Sequence, residues 1–181
     1  METFEYILFF LGIVPLIAYL VVIAILWELP KSFSATYYVL EEAKKNSGVL
    51  FTFVLWAYAL TTMIVAAEPL VFLAGAGACF TGAASQFKAL KMTKRVHWAG
   101  ALVSIIGGLA SVVVHYSDWP MLLIALASGV LLFSWKKGWV IRPIPKALLW
   151  GELMTMGTVS TEIFLNKHGM GYIDLINLLL N

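Results

Sequence analysis

Lys88-Ala89-Leu90-Lys91-Met92-Thr93-Lys94-Arg95 puts four positive charges into eight residues, and the runs on either side of it, 70–87 and 97–116, hold no Asp, Glu, Lys or Arg. A charged knot between two long apolar runs is how a membrane chain turns at a bilayer surface. The pattern repeats on both sides. Lys31, Lys44 and Lys45 fill an earlier connection, and Lys136, Lys137, Arg142 and Lys146 fill a later one. Eleven of the twelve Lys and Arg residues lie in these three connections, and only Lys167 falls elsewhere. Basic connections stay cytoplasmic, so the three belong on one side and the connections between them on the other.

Six spans follow, at about 6–27, 48–67, 70–87, 97–116, 120–135 and 147–165. The prediction is an all-α, six-helix transmembrane bundle with both termini outside, sitting in a plasma or bacterial inner membrane. Composition agrees. Of 181 residues, 61% are hydrophobic and 12% charged, about half the charged share of ordinary soluble domains, and the mean hydropathy is +0.90. A soluble core of this size cannot hide that much apolar surface, so lipid must cover part of it. Trp27, Trp98, Trp119, Trp135 and Trp139 fall at or near span ends, where an amphipathic ring prefers the headgroup level. The basic residues are accounted for by orientation, and no nucleic-acid signature remains. The first run lacks a basic leader, having Glu2 and Glu5 instead, and is long enough to span, so it is read as a span and not as a cleavable signal.

Local punctuation refines this picture. Pro15 predicts a kink in the first span. Glu68-Pro69 is a tight break, and Pro120 suits a first helical position. Within about 34–46, Ser32 or Ser34 is placed to cap a short helix that Gly48 ends, with Tyr37, Tyr38 and Leu40 turned toward headgroups. Its two readings are a tie between the first two spans or a docking element. A second interfacial segment is predicted at about 170–181. Gly75, Gly77, Ala78 and Gly82 on the third span, and Gly100, Ser104 and Gly108 on the fourth, form small-residue stripes that let helix backbones approach. The run 75–78 lacks the strand and Lys of a phosphate loop.

Charges inside spans are costly, so each is a candidate for function. Glu152 and Glu162 both lie on the sixth span, roughly 15 Å apart along a helix. Thr155, Thr158, Ser160 and Thr161 between them give that helix a polar face, predicted to line the bundle interior. The plain reading is that each Glu bonds a hydroxyl or backbone group, or that Glu152 pairs with Lys146. Glu68, His115, Asp118, Glu162 and His168 map near the outer surface, and carboxylates with imidazole can bind metal or move protons. No HExxH or CxxC pattern supports a metal, and none is predicted, nor any cofactor. His97 and His115 lie about 27 Å apart on one helix and cannot share an ion or haem. Three histidines do not furnish a multi-haem carrier, and this geometry counts against ceramidase-like hydrolases, whose zinc needs several converging histidines. Cys79, the one cysteine, has no partner for an intramolecular disulfide.

The segment Leu29-Pro30-Lys31-Ser32-Phe33-Ser34-Ala35-Thr36-Tyr37-Tyr38 resembles the Pro-x-Ser-x-Ser-x-x-Tyr-Tyr pattern of small six-helix membrane proteins loosely related to the DRAM-type family. The resemblance covers about ten residues and implies no enzymatic activity and no catalytic residues. The leading functional reading is a non-enzymatic membrane protein that binds an apolar or lipid-like ligand, or a protein partner, within the bundle, with membrane lipid or a second copy as neighbour. The alternatives are a proton-coupled transporter using Glu152 and Glu162, and a membrane enzyme with an outer-face site at His115, Asp118 and Glu162. Binding residues are sought among Glu68, His115, Asp118, Glu152, Thr155, Ser160 and Glu162.

Overall fold

A computed structural model describes residues 3–85, 91–115, 123–124, 126–130, 146–171, 174, 176–177 and 180, with backbone alone at 85, 91–94 and 115. Among them the ordered elements are all helical. In chain order they are α1 (Thr3–Leu26), α2 (Thr36–Ala43), α3 (Val49–Ala66), α4 (Pro69–Ser85), α5 (Lys91–His115) and α6 (Ala147–His168). Positions 123–124 and 126–130 are also helical, within the predicted fifth span, whose remaining residues lie outside those described. Thr3–Leu26, Val49–Ala66 and Arg95–Val114 are long and apolar enough to cross a membrane, and Pro69–Ala84 is apolar but shorter.

The helix ends follow local chemistry. Ala67 takes a left-handed conformation, its N–H bonding Met63 O, and Pro69 starts α4. Only two residues therefore turn α3 into α4. Proline suits the first turn because its missing N–H has no partner there. Gly169, at φ 61°, ends α6 with bonds from Gly169 N to Asn166 O and from Met170 N to Leu165 O. This is the paired closure that a glycine in left-handed geometry permits. The α1 helix runs through Pro15 without interruption, and α5 begins earlier than the predicted fourth span, taking Lys91, Lys94 and Arg95 into its first turns.

The bundle has an apolar core, as a soluble protein does, but it also exposes large apolar side chains along its helices. Ile7, Leu11, Val14, Ile17 and Ile25 of α1 are each more than half exposed, while Thr52, Thr62, Thr81, Ser111, Thr155 and Thr158 are buried. Thr52 donates across to Gly82 O of α4 and Ser111 to Glu68, and the other four hydroxyls are satisfied within their own helix. Thr62 donates to Tyr58 O, Thr81 to Gly77 O, Thr155 to Gly151 O and Thr158 to Met154 O, the back-bonding that lets Thr sit in an apolar helix. Apolar surface on this scale needs hydrocarbon around it.

The α4 and α5 helices pack most extensively. A Cβ built on Gly77 would come within 2.6 Å of Gly100 O and Ser104 N, and one on Gly100 within 2.8 Å of Gly77 O. The stripe then shifts by one residue. Gly107, not Gly108, meets Ala74 and Leu70 of α4, while Gly108 faces Val159 and Thr155 of α6. An α-helix turns 100° per residue, so a strict four-residue repeat drifts around the helix and hands the seam to its neighbour.

The connection between α1 and α3 departs from expectation in two respects. The α2 helix exists, and Ser32 Oγ accepts the Ala35 N–H at its start. But Tyr37 and Leu40 are buried against the bundle with Phe33 and Phe51, and only Tyr38 faces outward. Gly48 does not end α2. Lys44 closes it in extended conformation and Asn46 turns left-handed. Gly48 instead leaves room for the Tyr37 ring, which would lie 2.7 Å from an added Cβ. Glu41 accepts the Asn46 and Gly48 N–H groups and so closes the turn into α3. Burial, with the Glu41 carboxylate and Tyr38 adding to it, pushes the Tyr37 phenol above its ordinary pKa. Within 170–181, the second segment predicted to be interfacial, positions 174, 176, 177 and 180 are helical.

Candidate functional site: two hollows flanking α6

The α1 and α6 helices run antiparallel and are tied at both ends. At one end Lys167 Nζ lies 3.2 Å from Glu5 Oε1, and Tyr6 OH bonds His168 Nε2. At the other end Lys146 Nζ lies 3.4 Å from Glu28 Oε1. Glu5 and Glu28 are separated by roughly 34 Å of helix, close to the roughly 30 Å hydrocarbon thickness of a bilayer. The polar ties thus fall where headgroups would lie.

Between the ties the helices part. A groove of ≈ 480 Å³ opens there, walled by Phe9, Ile13, Leu16 and Leu20 on one side and by Leu153, Met156 and Phe164 on the other. Its floor is low because the α6 residues beneath it are small: Gly157, Ser160 and Thr161. A Cβ at Gly157 would meet nothing within 4 Å. The lined stretch covers twelve residues of each helix, Phe9–Leu20 and Leu153–Phe164, roughly 16 Å.

The opposite face of α6 borders a second, smaller hollow of ≈ 70 Å³ inside the bundle. Glu152, Thr155 and Met156 line it from α6, with Phe33 and Ser34 from the connection between α1 and α2, Phe51 and Tyr58 from α3, Thr81 from α4 and Ser104 from α5. Glu152 Oε2 accepts the Phe33 N–H at 2.6 Å. Tyr58, fully inside α3, bonds Met156 O and Ser160 Oγ, both at 3.0 Å, and so locks α3 to α6. Met156 borders both hollows and forms the partition between them.

The predicted site residues therefore separate. Glu152 and Thr155 share the inner hollow, and Ser160 lies on the groove side. Glu162 is 3% exposed, in the C-terminal half of α6, and lines neither hollow. Glu68 accepts from Ser111 at 3.4 Å, and His168 is held by Tyr6 and by Phe164 O. Among the described residues no three His, Cys, Asp or Glu side chains are grouped as metal ligands. The His115 side chain and Asp118 lie outside the described residues. Glu152 does not pair with Lys146, which reaches Glu28 instead. Sequence reading missed Phe33, Phe51, Tyr58, Met156 and Gly157. Of these only Tyr58 carried a signal, a polar-tipped ring in mid-span that must find a partner.

Comparison with protein-family models, with curated proteins and with solved structures gave no match.

Proposed function

We propose that this protein is a non-enzymatic, six-span membrane protein that holds an apolar or lipid-like molecule, and that the molecule lies in the groove between α1 and α6. The observation that carries the reading is the groove itself. It is long, narrow and lined by aliphatic and aromatic side chains, and the ties at both ends keep its walls apart at fixed positions. Its α1 wall continues into the exposed apolar belt of that helix, so what reaches it first is the surrounding hydrocarbon. Roughly 16 Å of apolar slot is about half the hydrocarbon thickness, the depth one acyl chain occupies.

Gly157→Leu tests this without harming the fold. The added side chain enters open space and replaces glycine in a helix interior, a gain of about 1 kcal/mol. Native mass spectrometry of protein extracted in mild detergent is expected to show a lipid-mass adduct on the wild type and little on the variant. The variant should melt no lower than the wild type. An adduct retained at wild-type level places the molecule elsewhere.

The orientation proposed has its own check. In a Cys79→Ala background, Gly169→Cys should react with an impermeant maleimide on intact cells, and Leu90→Cys should react only after lysis. The reverse pattern overturns both termini outside.

A further inference from the structure

We propose that the inner hollow against Glu152 is a binding site for an organic ammonium group, a primary amine in its protonated form. The site is separate from the α1–α6 groove, and Met156 stands between the two.

Four observations converge on this chemistry. Glu152 brings a carboxylate into the bundle, and its one hydrogen bond comes from the Phe33 backbone. Among the described residues no Lys, Arg or His lines the hollow or pairs with it. A carboxylate drawn into a bundle is costly unless it is paired or protonated, and among the described residues none supplies a cation to it. Three of the five hydroxyl side chains that line the hollow, all but Ser34 and Ser104, are the second observation. Tyr58 donates to Met156 O, Thr81 to Gly77 O and Thr155 to Gly151 O. Each hydroxyl has one hydrogen, and once it is committed to a carbonyl the oxygen can only accept. The lining therefore favours a guest that donates.

Third, three aromatic residues stand among the apolar walls, beside Leu55, Ile105 and Met156. Phe33, Phe51 and Tyr58 border the hollow, and the Phe33 and Phe51 ring centroids lie 5.2 Å apart. Ring faces attract cations, most strongly when the cation is desolvated, and they receive an alkyl stem equally well. A hydrated metal ion gains nothing from such walls. Fourth, the space is small, ≈ 70 Å³. It admits a compact ammonium head and no bulky one. The amine can come from a free solute or from a lipid headgroup such as ethanolamine, since both present the same N–H donors and charge.

Thermal unfolding of the full-length protein in detergent, at constant ionic strength, distinguishes these cases. Ethylammonium chloride is expected to raise the melting temperature saturably, while ethanol, its neutral counterpart, and potassium chloride do not. Glu152→Gln keeps an acceptor for Phe33 N–H and removes the charge. It should weaken the apparent affinity about tenfold or more, as loss of a charged hydrogen-bond partner does. A lipid source is recognised in nanodiscs: the wild type melts higher in phosphatidylethanolamine than in phosphatidylcholine, and Glu152→Gln removes the difference. Either stabilisation supports the site and names the source. The proposal is overturned if ethanol stabilises the wild type as much as ethylammonium, if Glu152→Gln responds as the wild type does, or if neither amine source stabilises the wild type. None of these results depends on the adduct at Gly157, so the groove and the hollow stand or fall separately.

Discussion

Gly77→Val is expected to separate α4 from α5 and to destabilise the bundle by about 3 kcal/mol or more, toward the upper end of what overpacking costs. The clash is with main chain. A Cβ at this position would lie 2.6 Å from both Gly100 O and Ser104 N, and no rotamer change moves a backbone atom aside. In lipid the penalty is felt in full, because helix association there rests on close packing and not on escape from water. A graded series makes the result specific. At Gly108 the nearest obstacle is Val159 Cγ2 at 3.1 Å, a side chain that can shift, so Gly108→Ala should cost little. At Gly157 nothing lies within 4 Å, and Gly157→Ala should gain up to about 1 kcal/mol from helix propensity. Melting temperatures in detergent should rank Gly157→Ala above wild type, Gly108→Ala near it and Gly77→Val far below. A Gly77→Val protein with wild-type stability would mean that α4 and α5 do not touch along this seam.

How much of this was legible beforehand depends on the range over which each feature is decided. The turn at Ala67-Glu68-Pro69 and the end of α6 at Gly169 are set by residues within one helical turn, and the sequence showed the first of these directly. The small-residue seam was legible as a composition, and its handover from Ser104 to Gly107 was not, because the drift appears only when two helices are laid together. The burial of Tyr37 and Leu40 was misread for a similar reason. Their spacing fits an interfacial helix, and only the fold-back of Phe33 onto Phe51 and Tyr19 shows that this helix faces protein. The functional hollows lie at the far end of this scale. Glu152 was singled out as a charge in an apolar span, yet its partner stands 119 residues away on a loop. The groove exists because α1 and α6, at opposite ends of the chain, are tied at their tips and parted at their middles. No local pattern encodes a space between two segments that distant.

Glu152→Ala should be the second most damaging change, and its damage should begin at the loop and not at α6. Removing the carboxylate leaves the Phe33 N–H without an acceptor in a partly buried site, which costs on the order of 1–2 kcal/mol. The loss does not stop there. Phe33 O accepts the Thr36 hydroxyl at 2.6 Å, and Thr36 Oγ1 accepts the Tyr19 hydroxyl at 2.6 Å. The Phe33 ring stands edge-on to Tyr19 and packs on Phe51. Glu152 is thus the anchor of a chain of contacts that seats the connection around α2 on α1 and α3. Hydrogen exchange should read this order directly: amides across 33–40 lose protection in Glu152→Ala while those of α4 and α5 keep theirs. Glu152→Gln, which retains a carbonyl oxygen for the Phe33 N–H, should keep most of that protection while losing its response to ethylammonium. If Glu152→Ala leaves the 33–40 amides as protected as in the wild type, then this carboxylate does not hold the loop. If Gln and Ala are equally damaging, its charge is what matters to the fold, and the hydrogen bond to Phe33 is incidental.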